Sequence, residues 1–316
     1  MCTVTFSPRQ RGYVLAMNRD EKLSRAVGLP PARKTIQGRA VLAPAEPGGG
    51  TWITVNDTGT TFALINWYAI ARQVKANPVS RGNVVRRVSS LATGASATMA
   101  LEEMPLHQVN PFRLIGVFPG TKEVLEWRWD LQQLTHKINP WCLQQWISSG
   151  FDEAQAQLVR AAAFQAATLQ KAPGTLAWLR RLHRSHRPAA GPFSTCMHRA
   201  DAATVSYTEV RASRGQVQMN YFPGAPCQCA NGQIKISEVK LRLQAPPRPD
   251  IPHPIQTFHP DLLGADVRRL ISIPPEPQSN KTRRPKSQLR QEPPAAGVLE
   301  CAQSSAALAQ PPSKTP

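Results

Sequence analysis

About half of the chain's 30 prolines lie beyond Gln244, in the last quarter of its 316 residues. Proline removes a backbone donor and blocks regular structure. Pairs such as Pro246-Pro247, Pro274-Pro275, Pro293-Pro294 and Pro311-Pro312 recur there among Gln, Ser and Ala. Such a stretch buries too little apolar surface to offset the entropy of ordering it. The break divides the chain into a folded domain, residues 1–244, and a mostly disordered tail, residues 245–316, with one transient helix expected near 261–271.

The first part alternates between two periodicities. Met1–Phe6 and Gly12–Met17 read as strands around the polar turn Ser7–Arg11. Thr51–Val55 and Thr61–Ile65 form a second pair around Asn56-Asp57-Thr58-Gly59. A helix is predicted from Ser80, as its N-cap, to about Leu91. Phe112–Phe118 and Glu123–Trp129 form a hairpin around Pro119-Gly120. Two helices follow: Phe151–Leu169, capped by Ser148, Ser149 or Asp152, and Thr175–His183. A last hairpin joins Ala203–Arg211 to Gln216–Tyr221. Strands, then helices, then strands describe a layered α+β domain.

Several classes are set aside by composition. No run approaches the roughly 20 apolar residues of a membrane span. The start, Met1-Cys2-Thr3-Val4, lacks a basic region followed by an apolar one, so a cytoplasmic location is expected. Six cysteines are too few and scattered for a disulfide scaffold, and Cys227-Gln228-Cys229 has no second such pair to complete a zinc site. No metal is expected. The formal charge of +18 invites nucleic acid, but it is spread out and no nucleic-acid motif accompanies it. The one dense cluster, Arg180 to Arg187, fits a solvated helix end, an anion site or, least well, a nucleic-acid contact.

Cys2 follows the initiator methionine. If Met1 is removed, one residue carries both a thiol and an α-amine. That amine has a pKa near ~8, so it can take the thiol proton and later return it to a leaving group. Position two alone is a weak signal. Asn18-Arg19-Asp20-Glu21, ending an apolar strand, strengthens it. Pairing of that strand with the first brings the quartet beside Cys2, where an arginine would favour thiolate and an aspartate would orient the amine.

Met1-Cys2-Thr3 with Asn18-Arg19-Asp20-Glu21 resembles the NRDE family, whose eukaryotic members are called transport and Golgi organisation 2 proteins. Gly49-Gly50-Thr51-Trp52, Asn56-Asp57-Thr58-Gly59, Ala63-Leu64-Ile65-Asn66 and Ser80-Arg81-Gly82 carry the resemblance further. So do Pro192-Phe193-Ser194, Cys196-Met197-His198-Arg199, Ala203 to Glu209 and Pro223 to Cys227, which takes it across residues 1 to about 230. The resemblance implies an Ntn-hydrolase-like αββα sandwich, two antiparallel sheets flanked by helices. It implies a catalytic Cys2 supported by Arg19 and Asp20. Asn66 is the candidate oxyanion donor, with Asn56 in reserve, and Arg199 the candidate distal arginine.

Two functions follow as expectations. One is an N-terminal-cysteine amidohydrolase that cleaves a C–N amide bond and needs no cofactor. The other is a non-enzymatic protein that binds or traffics haem or an acyl-CoA or lipid. For haem, or for another small amphipathic anion, His183, His186, His198 and Arg199 are the candidate contacts. Nucleic acid is not an expected partner.

Overall fold

The structure, a computed structural model, describes residues 2–231 and 236–244. The tail expected after Gln244, with its short helix, lies outside the described residues.

The chain opens with β1 (Cys2–Arg9) and β2 (Gly12–Lys22), an antiparallel pair in which Cys2 faces Arg19 and Thr3 faces Asn18. Gly12 makes the tight turn possible: its φ is +107°, and a Cβ there would sit 2.1 Å from the Ala212 carbonyl oxygen. The strands then change sheets. β3 (Leu29–Ile36), β4 (Arg39–Ala45), β5 (Ile53–Asn56) and β6 (Thr61–Asn66) precede α1 (Gly82–Val88) and α2 (Gly94–Glu102). β7 (Phe112–Phe118), β8 (Glu123–Trp129) and β9 (Leu134–Asn139) complete a seven-stranded sheet in the order β3 to β9.

β10 (Gln144–Ser148) returns to the outer side of β1. After α3 (Glu153–Thr168) and α4 (Leu176–Arg184) come β11 (Ala202–Ser213), β12 (Gln216–Pro223) and β13 (Ser237–Arg242). The second sheet is six-stranded, β10-β1-β2-β11-β12-β13. All its pairings are antiparallel, like those of the first sheet.

Three apolar layers hold the stack together. Between the sheets lie Val4, Phe6, Leu15 and Met17 from one side and Leu42, Val55, Ile65, Ile115 and Val117 from the other. Val84, Val85 and Val88 of α1 with Ala97 and Leu101 of α2 cover the far face of the seven-stranded sheet, against Phe62, Phe112 and Trp127. Phe164 of α3 with Trp178, Leu179 and Leu182 of α4 cover the far face of the six-stranded sheet, against Val14, Ala16, Tyr207 and Phe222. The architecture is therefore αββα, as expected.

Some expectations need correction. Ser80 is not the N-cap of α1. Arg81 holds that position without a side-chain cap, and the Ser80 hydroxyl accepts from the Gly82 N–H. The cap of α3 is Asp152, which accepts from the Gln155 N–H at 2.9 Å, and Thr175 caps α4. The second strand, expected over Gly12–Met17, runs on through the Asn18–Glu21 quartet to Lys22, because β11 keeps pairing with it that far. Cys142, read as one of six scattered thiols, is disulfide-bonded, whereas Cys2, Cys196 and Cys227 are free. Among the described residues, no helix is long and apolar enough to cross a membrane.

Candidate active site

Strand geometry sorts the Asn18–Glu21 quartet onto two faces. Side chains alternate across a strand, so Arg19 follows Leu15 and Met17 toward the space between the sheets. Asn18 and Asp20 follow Val14 and Ala16 toward the helices. On β1, Cys2, Val4 and Phe6 face between the sheets. Cys2 and Arg19 are thus cross-strand partners on one face, while Asp20 reaches Cys2 by its backbone.

On the inter-sheet side Cys2 lines a cavity of about 250 Å³ with Arg19, Arg25, Glu46, Asn66 and Arg81. The Arg19 guanidinium lies 4.3 Å from the centre of the Trp52 ring and donates to Glu46 Oε1 at 2.6 Å. Arg25 bonds the other Glu46 oxygen at 2.7 Å and also approaches Glu21 at 3.2 Å. Two carboxylates therefore hold Arg19 and Arg25.

Arg81 differs. Its guanidinium donates to the Pro111 carbonyl, and it has no carboxylate ion pair among the described residues. Burial is the main cause of its lowered pKa. It is brought here by contact between two glycine motifs: a Cβ on Gly82 would meet Gly50 Cα and Thr51 N at 2.8 Å. Asn66, at the end of β6, lends its amide to the Tyr68 hydroxyl at 2.7 Å.

Cys2 is 8% exposed. Burial pushes its pKa up, and the Asp20 charge adds to that. The amine at the chain start, the Asp20 backbone N–H and Arg19 act in the opposite direction, without reversing it. The resting group is a thiol, so attack on a carbonyl requires a base that takes its proton.

On the helix side the quartet builds structure. Asp20 accepts from fully buried Arg160 at 3.3 Å and from Thr204 Oγ1 at 2.6 Å, and Arg160 also donates to Thr3 Oγ1 at 2.8 Å. Asn18 donates to the carbonyls of His183 and Thr195. Its Oδ1 is left facing His183 Nδ1 at 3.0 Å, which puts the histidine proton on that nitrogen. Nε2 then accepts from Thr5 Oγ1 at 3.0 Å. Burial, helped by the Arg160 charge, lowers the His183 pKa to about 3 and keeps the ring neutral.

The four residues named for a haem or anion site do not all come together. His183 lies in the network just described. Arg199 pairs with Asp201 at 2.8 Å and covers the Phe151 ring at 4.8 Å, and it does not line the Cys2 cavity. His186 and His198 do meet, their rings 5.0 Å apart, beside Cys196 and Cys227. Asn56, the reserve oxyanion donor, organises its own turn: it donates to the Ser89 and Leu91 carbonyls and accepts from Thr58 and Thr60.

Sequence reasoning passed over Arg25, Glu46, Trp52 and Arg81 as cavity residues. For Trp52 and Arg81 a signal was present, since both lie in motifs that carry the resemblance. Arg25 and Glu46 had none.

The arrangement defines a class: an αββα sandwich with a cysteine at the start of an inner strand, facing a polar cavity between the sheets. Residues 1–144 match the model of the Transport and Golgi organisation 2 family. The match covers Cys2, the Asn18–Glu21 quartet and the motifs up to Gly82; those from Pro192 onward lie beyond it. No curated protein matches the sequence. The solved structures to which the chain is similar include two hydrolases. One is a mutant conjugated bile acid hydrolase from Clostridium perfringens, 10% identical, with a TM-score of 0.47 over 76% of this chain and 92% of that one. The other is penicillin V acylase from Agrobacterium tumefaciens, 12% identical, with a TM-score of 0.40 over 69% of this chain and 82% of that one.

Proposed function

We propose that the chain is an N-terminal-cysteine amidohydrolase that cleaves a C–N amide bond through a thioester on Cys2. The observation that carries this reading is a buried thiol facing a polar cavity of about 250 Å³ that also holds the Asn66 amide and the Arg81 cation. That volume is just under the roughly 300–1,000 Å³ of drug-sized pockets, so a small amide, or the reacting end of a longer one, fits it. Arg81, without a carboxylate of its own, suits a substrate that bears an anionic group.

In the proposed reaction Sγ of Cys2 attacks the amide carbon while its proton passes to the α-amine of the same residue. The α-amine is the base that a resting thiol requires. Asn66 donates its amide to the oxyanion, a service worth about 2.7–4 kcal/mol where such donors have been removed. The C–N bond breaks as the α-amine hands its proton to the departing nitrogen. Water then attacks the thioester, the C–S bond breaks, and the proton returns to sulfur.

The reading needs a free α-amine on Cys2. Intact-mass analysis of the purified chain is expected to show loss of Met1, and rapid quenching with a panel of anionic amides to show an acyl adduct on Cys2. Cys2→Ala is expected to abolish turnover while the fold remains. Retention of Met1, or undiminished hydrolysis by Cys2→Ala, refutes the proposal.

A further inference from the structure

His186, Cys196, His198 and Cys227 each point one donor atom into a common space, where these atoms all lie within 4.8 Å of one another. They come from three separate stretches of backbone. His186 follows α4, Cys196 and His198 precede β11, and Cys227 sits in the 3-10 helix Pro226–Asn231 that follows β12. The Cys2 cavity contains none of the four.

Hydrogen bonding accounts for only part of this grouping, since Cys227 bonds Cys196 through both its backbone and its side chain. Nε2 of His198 lies 3.6 Å from Cys196 Sγ and 3.4 Å from Cys227 Sγ. One ring nitrogen has either one lone pair or one proton, so it serves one thiol and not two. Nε2 of His186 is buried and has no hydrogen-bond partner among the described residues. Buried polar atoms are ordinarily paired, and this unpaired nitrogen belongs to a ring grouped with two thiols and a second imidazole. A cation at the centre satisfies all four at once.

The donor chemistry, with two of the spacings, points to the cation. Tetrahedral zinc has Zn–S bonds of about 2.3 Å and Zn–N bonds of about 2.0–2.1 Å, which require S···N edges of about 3.6 Å. The two S···N separations, 3.6 and 3.4 Å, match that edge. Two sulfurs and two imidazoles are a zinc donor set, whereas magnesium and calcium take oxygen ligands. We infer that these four residues form a structural Cys2His2 zinc site. Binding releases the two thiol protons, so two thiolates balance the charge of the ion. All four positions are taken by protein, which leaves none for substrate.

The site also has a mechanical role. The Met197 N–H, between two ligands, donates to Thr204 Oγ1, and that hydroxyl donates to Asp20. Zinc would pin the segment before β11, and through it the Asp20 carboxylate on the strand that faces Cys2.

The test uses the full-length chain, purified under reducing conditions without added metal. Elemental analysis is expected to find one zinc per chain. After removal with a chelator, Co²⁺ should restore the melting temperature and give the visible ligand-field spectrum of a tetrahedral thiolate–imidazole site. His198→Ala should lose the zinc and His198→Cys should keep it. Co²⁺ spectra of the native chain decide the matter even if His198→Ala fails to fold. Cys2→Ala should keep its zinc whatever happens to hydrolysis, so failure here and failure of the amidohydrolase reading are separate results. Zinc-free protein whose melting ignores zinc, zinc that survives the combined Cys196→Ser and Cys227→Ser changes, or a Cys196–Cys227 disulfide in the reduced preparation overturns the inference.

Discussion

Arg81 and Asp20 occupy opposite sides of one sheet and are expected to fail in different ways when changed. Arg81 donates one hydrogen bond to a carbonyl and otherwise faces the cavity. Arg81→Gln should leave the melting temperature nearly unchanged. It should raise KM about tenfold for any anionic amide the protein hydrolyses, equivalent to about 1.4 kcal/mol of binding. Steady-state kinetics on matched anionic and neutral amides tests this, because the neutral one should be indifferent. Asp20 instead faces fully buried Arg160. Asp20→Asn leaves that guanidinium without its carboxylate, and breaking a buried pair in this way costs about 3–5 kcal/mol. Urea unfolding should show the loss directly. Of these two residues, Asp20 was expected to be catalytic. The two-residue period of β2 turns its side chain to the helix side, where it meets Arg160 and Thr204.

At the scale of the elements, the join between α4 and β2 is sensitive to acid. His183 is neutral with a pKa near 3 when folded, against about 6.5 for the unfolded residue. Between those values the unfolded chain binds the extra proton, so stability falls as pH drops and is fully present only above about 6.5. The slope from this residue is at most about 1.4 kcal/mol per pH unit. Urea midpoints measured across that range should fall more steeply for the native chain than for His183→Gln. The helices themselves were legible in the sequence: an Ala-rich run behind Asp152 and an amphipathic one behind Thr175. The pair β3–β4, the strands β9 and β10 and the helix α2 were not. β3 is mostly exposed and holds two prolines, so its alternation is blurred. Much of α2 is small and polar, as Gly94-Ala95-Ser96-Ala97-Thr98 shows, and only packing against the sheet defines its face.

At the scale of the whole molecule, the described residues fill the space between the two sheets mainly with apolar side chains. Tyr13 is a polar exception. From β2 its buried hydroxyl bonds the Gly59 carbonyl at 2.6 Å and Thr61 Oγ1 at 2.5 Å, both belonging to the opposite sheet and its turn. Tyr13→Phe keeps the ring and removes the link, which should cost about 1–3 kcal/mol, since two buried partners are left unpaired. Thermal unfolding of the variant measures it.

By itself the sequence determined the layered α+β class, the first strand pair, and Cys2 beside Arg19, because these depend on local periodicity and on neighbours joined by a short turn. Tertiary structure alone decided which side chains share a site. Arg25, Glu46 and Arg81 reach the Cys2 cavity, and His186 reaches Cys227, across tens of residues of chain. No local pattern encodes such a meeting. It arises when two sheets close on one core and the loops at their edges are carried together.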